Sequence, residues 1–256
     1  LAGAGLVRIE TVTVCVGYGD FLRETLPQNQ HLLDDLVVIT TAEDEETREV
    51  CRRHSIHHVL SEDHRRGGPF NKARLIQRAF DQIGGHDWIL HLDADIVLPR
   101  RFRSLVDWAH LDPACIYGAD RCSLMGYNAW QQLKHDKGGW DNHSHENYLR
   151  FHSDPGSRWV SKLHGYVPIG FFQLFHGSAM FDRGMHLKRY PYGQGDAARS
   201  DVQFALQWDR RHRQLLPELV VLHLESQPAP NGANWQGRKT GRFGPGHHHH
   251  RHKPCS

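Results

Sequence analysis

No stretch of the 256 residues approaches the apolar length of a membrane span, and the first residues lack a charged segment followed by an apolar core. The chain is therefore expected to be soluble and cytoplasmic, with no transmembrane segment. Paired cysteines are missing too. Cys15, Cys51, Cys115, Cys122 and Cys255 are odd in number and have no metal-type spacing, which argues for reduced thiols over a disulfide frame. Cys15 and Cys115 sit in apolar strands and read as core. An excess of either charge is missing: the formal net charge is +2 with histidine neutral, so no global field advertises a polyanionic partner. Basic residues gather only locally, at His64-Arg65-Arg66, Arg210-Arg211-His212-Arg213 and Arg238-Lys239. No internal repeat is present.

What is there is enough apolar content, 39%, to bury one large core without a second domain. Strand and helix signals alternate through the first hundred residues: strand Thr11–Val16, helix Asp20–His31, strand Leu36–Thr40, helix Asp44–His54, strand His57–Leu60, helix Phe70–Ile83, strand Trp88–Leu92, and a helix after Pro99. A βαβαβ order with short crossovers demands an α/β fold with a mostly parallel sheet and helices on its faces. Ligands in such sheets bind beyond the carboxyl ends of the strands. From Tyr127 to Pro168 the chain turns polar, without sustained periodicity, and reads as loops and a short helix inserted over the sheet. Order resumes at Gly170–Phe175, followed by an amphipathic helix over Ser200–Arg213 and a buried strand over Leu219–Leu224.

The strand Trp88–Leu92 runs into Asp93-Ala94-Asp95. Alternate residues of an extended strand point the same way, so both carboxylates can face one site. Their mutual repulsion is relieved by a hard divalent cation, whose open positions phosphate oxygens can fill. A solvated strand end is the plain alternative.

Together, Thr11 to Tyr18, Phe70-Asn71-Lys72 opening a helix, His91-Leu92-Asp93-Ala94-Asp95 and Ser200-Asp201 heading a helix resemble, in order and separation, the GT-A fold glycosyltransferases, especially family-2-like enzymes. The similarity runs over residues 11–225. It implies one GT-A domain over residues 1–243, with a nucleotide-binding half over about 8–100, an acceptor half over about 101–243, and a flexible His-rich tail at 244–256. Two places depart from the family: Thr40-Thr41-Ala42-Glu43-Asp44 puts threonines where paired aspartates usually meet the base, and Ala73 replaces a glycine.

The resemblance implies a hexosyltransferase that moves a sugar from a nucleotide-diphosphate sugar, such as a UDP-sugar, to an acceptor hydroxyl with inversion. Asp95 would ligate the metal directly, and Asp93 would ligate it or reach the ribose or a metal-bound water. His223 is the expected third ligand, with Glu225 as its substitute; imidazole favours Mn²⁺ over Mg²⁺. A core histidine is the competing reading. Asp201 is the expected base on the acceptor alcohol, with Asp196 in reserve, although Ser200 and Asp201 also suit a helix N-terminus for capping and charge. Tyr18, Thr41, Asn71, Lys72 and Gln173 are expected on the donor. Trp235, Arg238 and Lys239 would close over it from a mobile Gly/Pro/Asn-rich segment. Trp130, Trp140 and Trp159 read as loop anchors or as a stacking platform. The acceptor would be a glycan or, given the local basic patches, a hydroxymethylated DNA base. Two other classes remain open: a sugar-nucleotide nucleotidyltransferase, which should carry a basic phosphate loop where Gly17-Tyr18-Gly19-Asp20 has none, and a non-catalytic metal- or nucleic-acid-binding protein.

Overall fold

The computed structural model describes residues 7–68, 70–84, 87–141, 159–182, 185–186, 188–191, 199–226 and 240–245. The chain begins β1 (Ile9–Val14), α1 (Gly19–Asn29), β2 (Asp35–Thr40), α2 (Glu45–Arg53), β3 (His57–Leu60), α3 (Lys72–Phe80) and β4 (Trp88–Leu92). Every residue of β1 and β4 is buried, as in strands covered on both faces by helices. Asp44 accepts from Thr47 N at 3.2 Å to cap α2, and Asn71 accepts from Arg74 N at 3.2 Å to cap α3.

The rest comprises β5 (Ile96–Val97), α4 (Phe102–Trp108), β6 (Ile116–Met125), α5 (Tyr127–Lys137), β7 (Trp159–Ser161), β8 (Gly165–Val167), β9 (Phe172–His176), β10 (Phe181–Asp182), β11 (Met185–His186), α6 (Ser200–Ala205), β12 (Arg213–Glu225), β13 (Thr240–Gly241) and β14 (Gly244–Pro245). An eight-stranded sheet runs β3-β2-β1-β4-β9-β6-β12-β5. Only β9 and β5 run against the other strands. The expected mostly parallel α/β sheet is therefore present.

That sheet has to curl. Between Leu92 and Ile96 the chain can reach at most about 14 Å, yet β4 and β5 are four places apart in the sheet, roughly 19 Å if it were flat. Curling brings the edge strand β5, and with it the end of β12, back over the end of β4.

The later elements depart from expectation in several places. The helix expected over Ser200–Arg213 stops at Ala205, because Trp208 turns in to pack on Phe204 and Phe175, with ring centroids 5.1 and 5.7 Å away, and Arg213 already begins β12. The stretch from Tyr127, read as loops and a short helix, opens with that helix as α5. That helix is fastened to α1 by Glu24, which accepts from Trp130 Nε1 at 2.9 Å and from Lys134 Nζ. Further along, β7 and β8 make a hairpin, and the apolar strand read at Cys115 is β6, which starts one residue later and runs for ten residues. The β13–β14 hairpin carries order to Pro245, past the expected start of the tail at 244. Cys15, Cys51, Cys115 and Cys122 are buried free thiols, and no described helix is long and apolar enough to cross a membrane.

Candidate active site

Register explains why distant side chains meet. Ile96 pairs with His223 across β5 and β12, and Leu224 N donates to Asp95 O at 2.9 Å. These backbone bonds bring the His223 imidazole to Asp95, Nε2 to Oδ2 3.4 Å. Its Nδ1 faces Glu225 Oε1 at 3.2 Å. Burial alone would lower the His223 pKa, but the two carboxylates outweigh it and push the value up to about 9. The His223 contact in turn holds Glu225 down at about 2, with Ser123 and Arg121 helping. Asp95 Oδ1 is shut from solvent and has no hydrogen-bond partner.

Asp93 faces elsewhere. Its Oδ1 accepts from Lys72 Nζ and lies 3.5 Å from His91 Nε2, while its backbone N donates to Phe171 O at 3.1 Å. Burial and the neighbouring Asp95 and Asp201 carboxylates push the Asp93 pKa up against the pull of Lys72. Asp93 in turn overcomes burial to keep Lys72 charged. The expected three-ligand set of Asp93, Asp95 and His223 is therefore not assembled. Among the described residues no group of three or more His, Cys, Asp or Glu side chains is placed to hold an ion. Asp95 and His223 are the pair that meets, with Asp93 tied to Lys72 beside it.

Asp201 lies in the first turn of α6 but does not cap it. The cap position is Arg199, at φ +66°, and no side chain bonds there, so Ser200 is not the expected cap. Instead Asp201 Oδ2 accepts from Gly170 N at 2.6 Å. Position 170 must be glycine for this approach, since a Cβ there would stand 2.8 Å from that of Asp201. Asp201 is near enough for its charge to act on both Lys72 and Asp93.

Gln173 is fully buried and spent on the protein, not open to a sugar. Its Nε2 donates to Pro168 O at 2.9 Å and to Asp201 O at 3.0 Å, and its Oε1 accepts from Tyr190 Oη. Tyr190 Oη also lies 2.9 Å from His91 Nδ1. His91, Tyr190 and Gln173 thus line up between Asp93 and the backbone of Asp201, although His91 Nε2 makes no hydrogen bond to Asp93. Tyr190 was not picked out in sequence.

Other expected donor contacts are likewise turned inward. Tyr18 is buried against Phe21, ring centroids 5.1 Å apart, so it offers no free face to a base. Thr41 is buried, and Asn71 is occupied as the cap of α3 with its amide donating to Arg66 O at 3.0 Å. The displaced acid of the second strand is also accounted for. Asp44 Oδ2 accepts from Gly17 N at 2.7 Å and Thr47 Oγ1 at 2.7 Å, bracing the loop after β1. Lys72 stays in the cleft. Trp130 and Trp140 are buried anchors, as one reading had it. Trp235, Arg238, Lys239 and Asp196 lie outside the described residues, as does the side chain of Trp159.

Arg121 was not anticipated. It lies two residues before Ser123 on β6, its guanidinium 4.9 Å from the Phe171 ring centroid and coupled to His223 and Glu225. No motif marks it; only strand pairing brings it to the cleft.

No protein-family model matches the chain, and a search of curated proteins finds no match. Solved structures do align with it. Glucosyl-3-phosphoglycerate synthase from Mycobacterium tuberculosis in complex with UDP aligns over 89% of this chain and 74% of its own, at 13% identity and a TM-score of 0.49. The same enzyme with Mn²⁺, UDP and glucosyl-3-phosphoglycerate aligns over 86% and 71%, at 13% identity and 0.48. Mannosyl-3-phosphoglycerate synthase from Rubrobacter xylanophilus aligns over 46% and 41%, at 17% identity and 0.35. Likeness at that level does not transfer an activity, so the functional reading stands on this chain's own residues.

Proposed function

We propose that the chain is a divalent-metal-dependent glycosyltransferase of the GT-A type, moving a sugar from a nucleotide-diphosphate sugar to an acceptor hydroxyl. The observation that carries this is the meeting of Asp95 and His223 at the end of the curled sheet, with Asp93 and Asp201 beside them. A buried carboxylate oxygen without a partner, next to an imidazole that its surroundings load with positive charge, fits a cation-binding pair. The same carboxylates that favour a proton on His223 would favour a metal in its place. One oxygen and one nitrogen donor suit Mn²⁺.

Asp95 and His223 would hold the metal, whose chemistry is to neutralise charge on the departing diphosphate. The ammonium of Lys72, kept charged by Asp93, adds a cation on the donor side. Asp201, whose Oδ2 accepts from Gly170 N–H, would take the acceptor's proton in a direct displacement with inversion. Arg121, stacked on Phe171, offers a further fork to a phosphate or acceptor oxygen.

A screen of UDP-, GDP- and TDP-sugars with Mn²⁺, read by calorimetry and product release, tests this. Asp95→Ala is expected to lose metal-dependent donor binding. Asp201→Ala should keep binding and lose transfer by about 10²–10⁴-fold. Donor affinity unchanged in Asp95→Ala would sink the metal assignment.

A further inference from the structure

At the far end of β12 from His223 sits a buried guanidinium, two of whose nitrogens find no hydrogen-bond partner among the described residues. Arg213 opens β12 beside Ile116 and is 7% exposed. Its Nε and Nη1 are closed to solvent and hydrogen-bond to no group. Burial, and then the like charge of Arg210, pull its pKa below the ordinary arginine range, with Asp209 opposing. Arg210 lies across the turn of the β7–β8 hairpin, where Gly165 has φ +68° and a Cβ would stand 2.7 Å from Arg210 Nε. That glycine makes room for the guanidinium. Lys162 on the same turn and Arg211 beside it are exposed. Among the described residues, Arg210 and Asp209 are the charged groups that act on Arg213.

A buried cation whose nitrogens are unbonded and whose one acid is outweighed by a second cation is unfavourable. Two adjacent guanidinium forks match an oxyanion that offers several acceptor oxygens in a tetrahedral array. We infer that Arg213 and Arg210 form an anion site that takes a phosphate group and is separate from the cleft around Asp95 and His223. The separation follows from register: Arg213 pairs with Ile116 and His223 with Ser123 on the same strand, which at about 3.3 Å per residue puts them roughly 23 Å apart. The phosphate belongs to a small phosphorylated molecule or to a nucleic-acid backbone. Both present the same group, and the polymer would also engage Lys162 and Arg211.

The full chain in EDTA is titrated calorimetrically with inorganic phosphate at constant ionic strength, and separately with a twelve-nucleotide single strand lacking a terminal phosphate. Saturable phosphate binding is expected, weakened at least tenfold by Arg210→Gln and by Arg213→Met, and unchanged by Asp95→Ala. In phosphate-free buffer Arg213→Met should melt higher than the parent and no longer respond to phosphate, whereas a merely structural arginine would melt lower on replacement. Oligonucleotide binding tighter than phosphate and steeply salt-dependent identifies the polymer; binding no tighter than phosphate identifies the small carrier. If Arg213→Met does not fold, Arg210→Gln, at an exposed residue, decides alone. No saturable phosphate binding by the parent, or undiminished binding in Arg210→Gln, overturns the site.

Discussion

Gln173 and Glu24 show how a single polar side chain is committed by its neighbours. Gln173 donates to two carbonyls and accepts from a tyrosine with no exposure to water. Gln173→Leu keeps the volume but strands these groups, and should cost about 2–4 kcal/mol by urea denaturation, since each buried unpaired group costs about 1–3. Glu24 is the hub between α1 and α5. Burial raises its pKa, but Lys134 and Trp130 more than offset this and leave it lowered. A carboxyl that holds its proton less tightly when folded stabilises fully above its unfolded value, about 4.3. That stabilisation fades as pH falls through the lower folded value. Glu24→Gln should therefore be less stable than the parent near neutrality, with the gap closing as pH falls through the acid range in a series of denaturation curves. A gap independent of pH would mean that the charge does not matter.

At the scale of elements, capping residues and donor contacts competed for the same positions. Asn71 at the head of α3 resembled a nucleotide contact, yet its oxygen caps the helix. Asn71→Ala should lower stability by about 1 kcal/mol, measurable as a shifted denaturation midpoint. Asp44 both caps α2 and holds the loop after β1 through Gly17 N. Asp44→Ala should therefore cost stability and, under the proposed function, also raise the KM for donor more than it lowers kcat. A pure stability loss with unchanged KM would detach that loop from the donor site. The short α6 makes the complementary point: periodicity favoured a helix to Arg213, but burial of Trp208 against Phe175 ended it early.

For the molecule as a whole, the curl of the sheet is the decisive feature, because it brings the ends of β4 and β12 together. Under the proposed function, Asp95 and His223 alone leave most of a cation's coordination to other donors. Mn²⁺ and a nucleoside diphosphate should therefore bind cooperatively: either alone weakly, each tightening the other at least tenfold in reciprocal titrations. Equal Mn²⁺ affinity with and without the diphosphate would contradict a site completed by the donor.

Local physics made the alternation of strands and helices, the burial of β1 and β4 and the carboxylates after β4 legible before any coordinates, because side-chain period and turn chemistry act over a few residues. Asp93, Asp95, Asp201 and His223 were also chosen from the chain alone. The partners of those residues were not readable. Which carboxylate meets His223, why Asp93 turns to Lys72, and how Arg121 and Tyr190 join the cleft depend on strand register between segments far apart in the chain. Register is set by packing of whole faces against one another, a property no window of sequence contains.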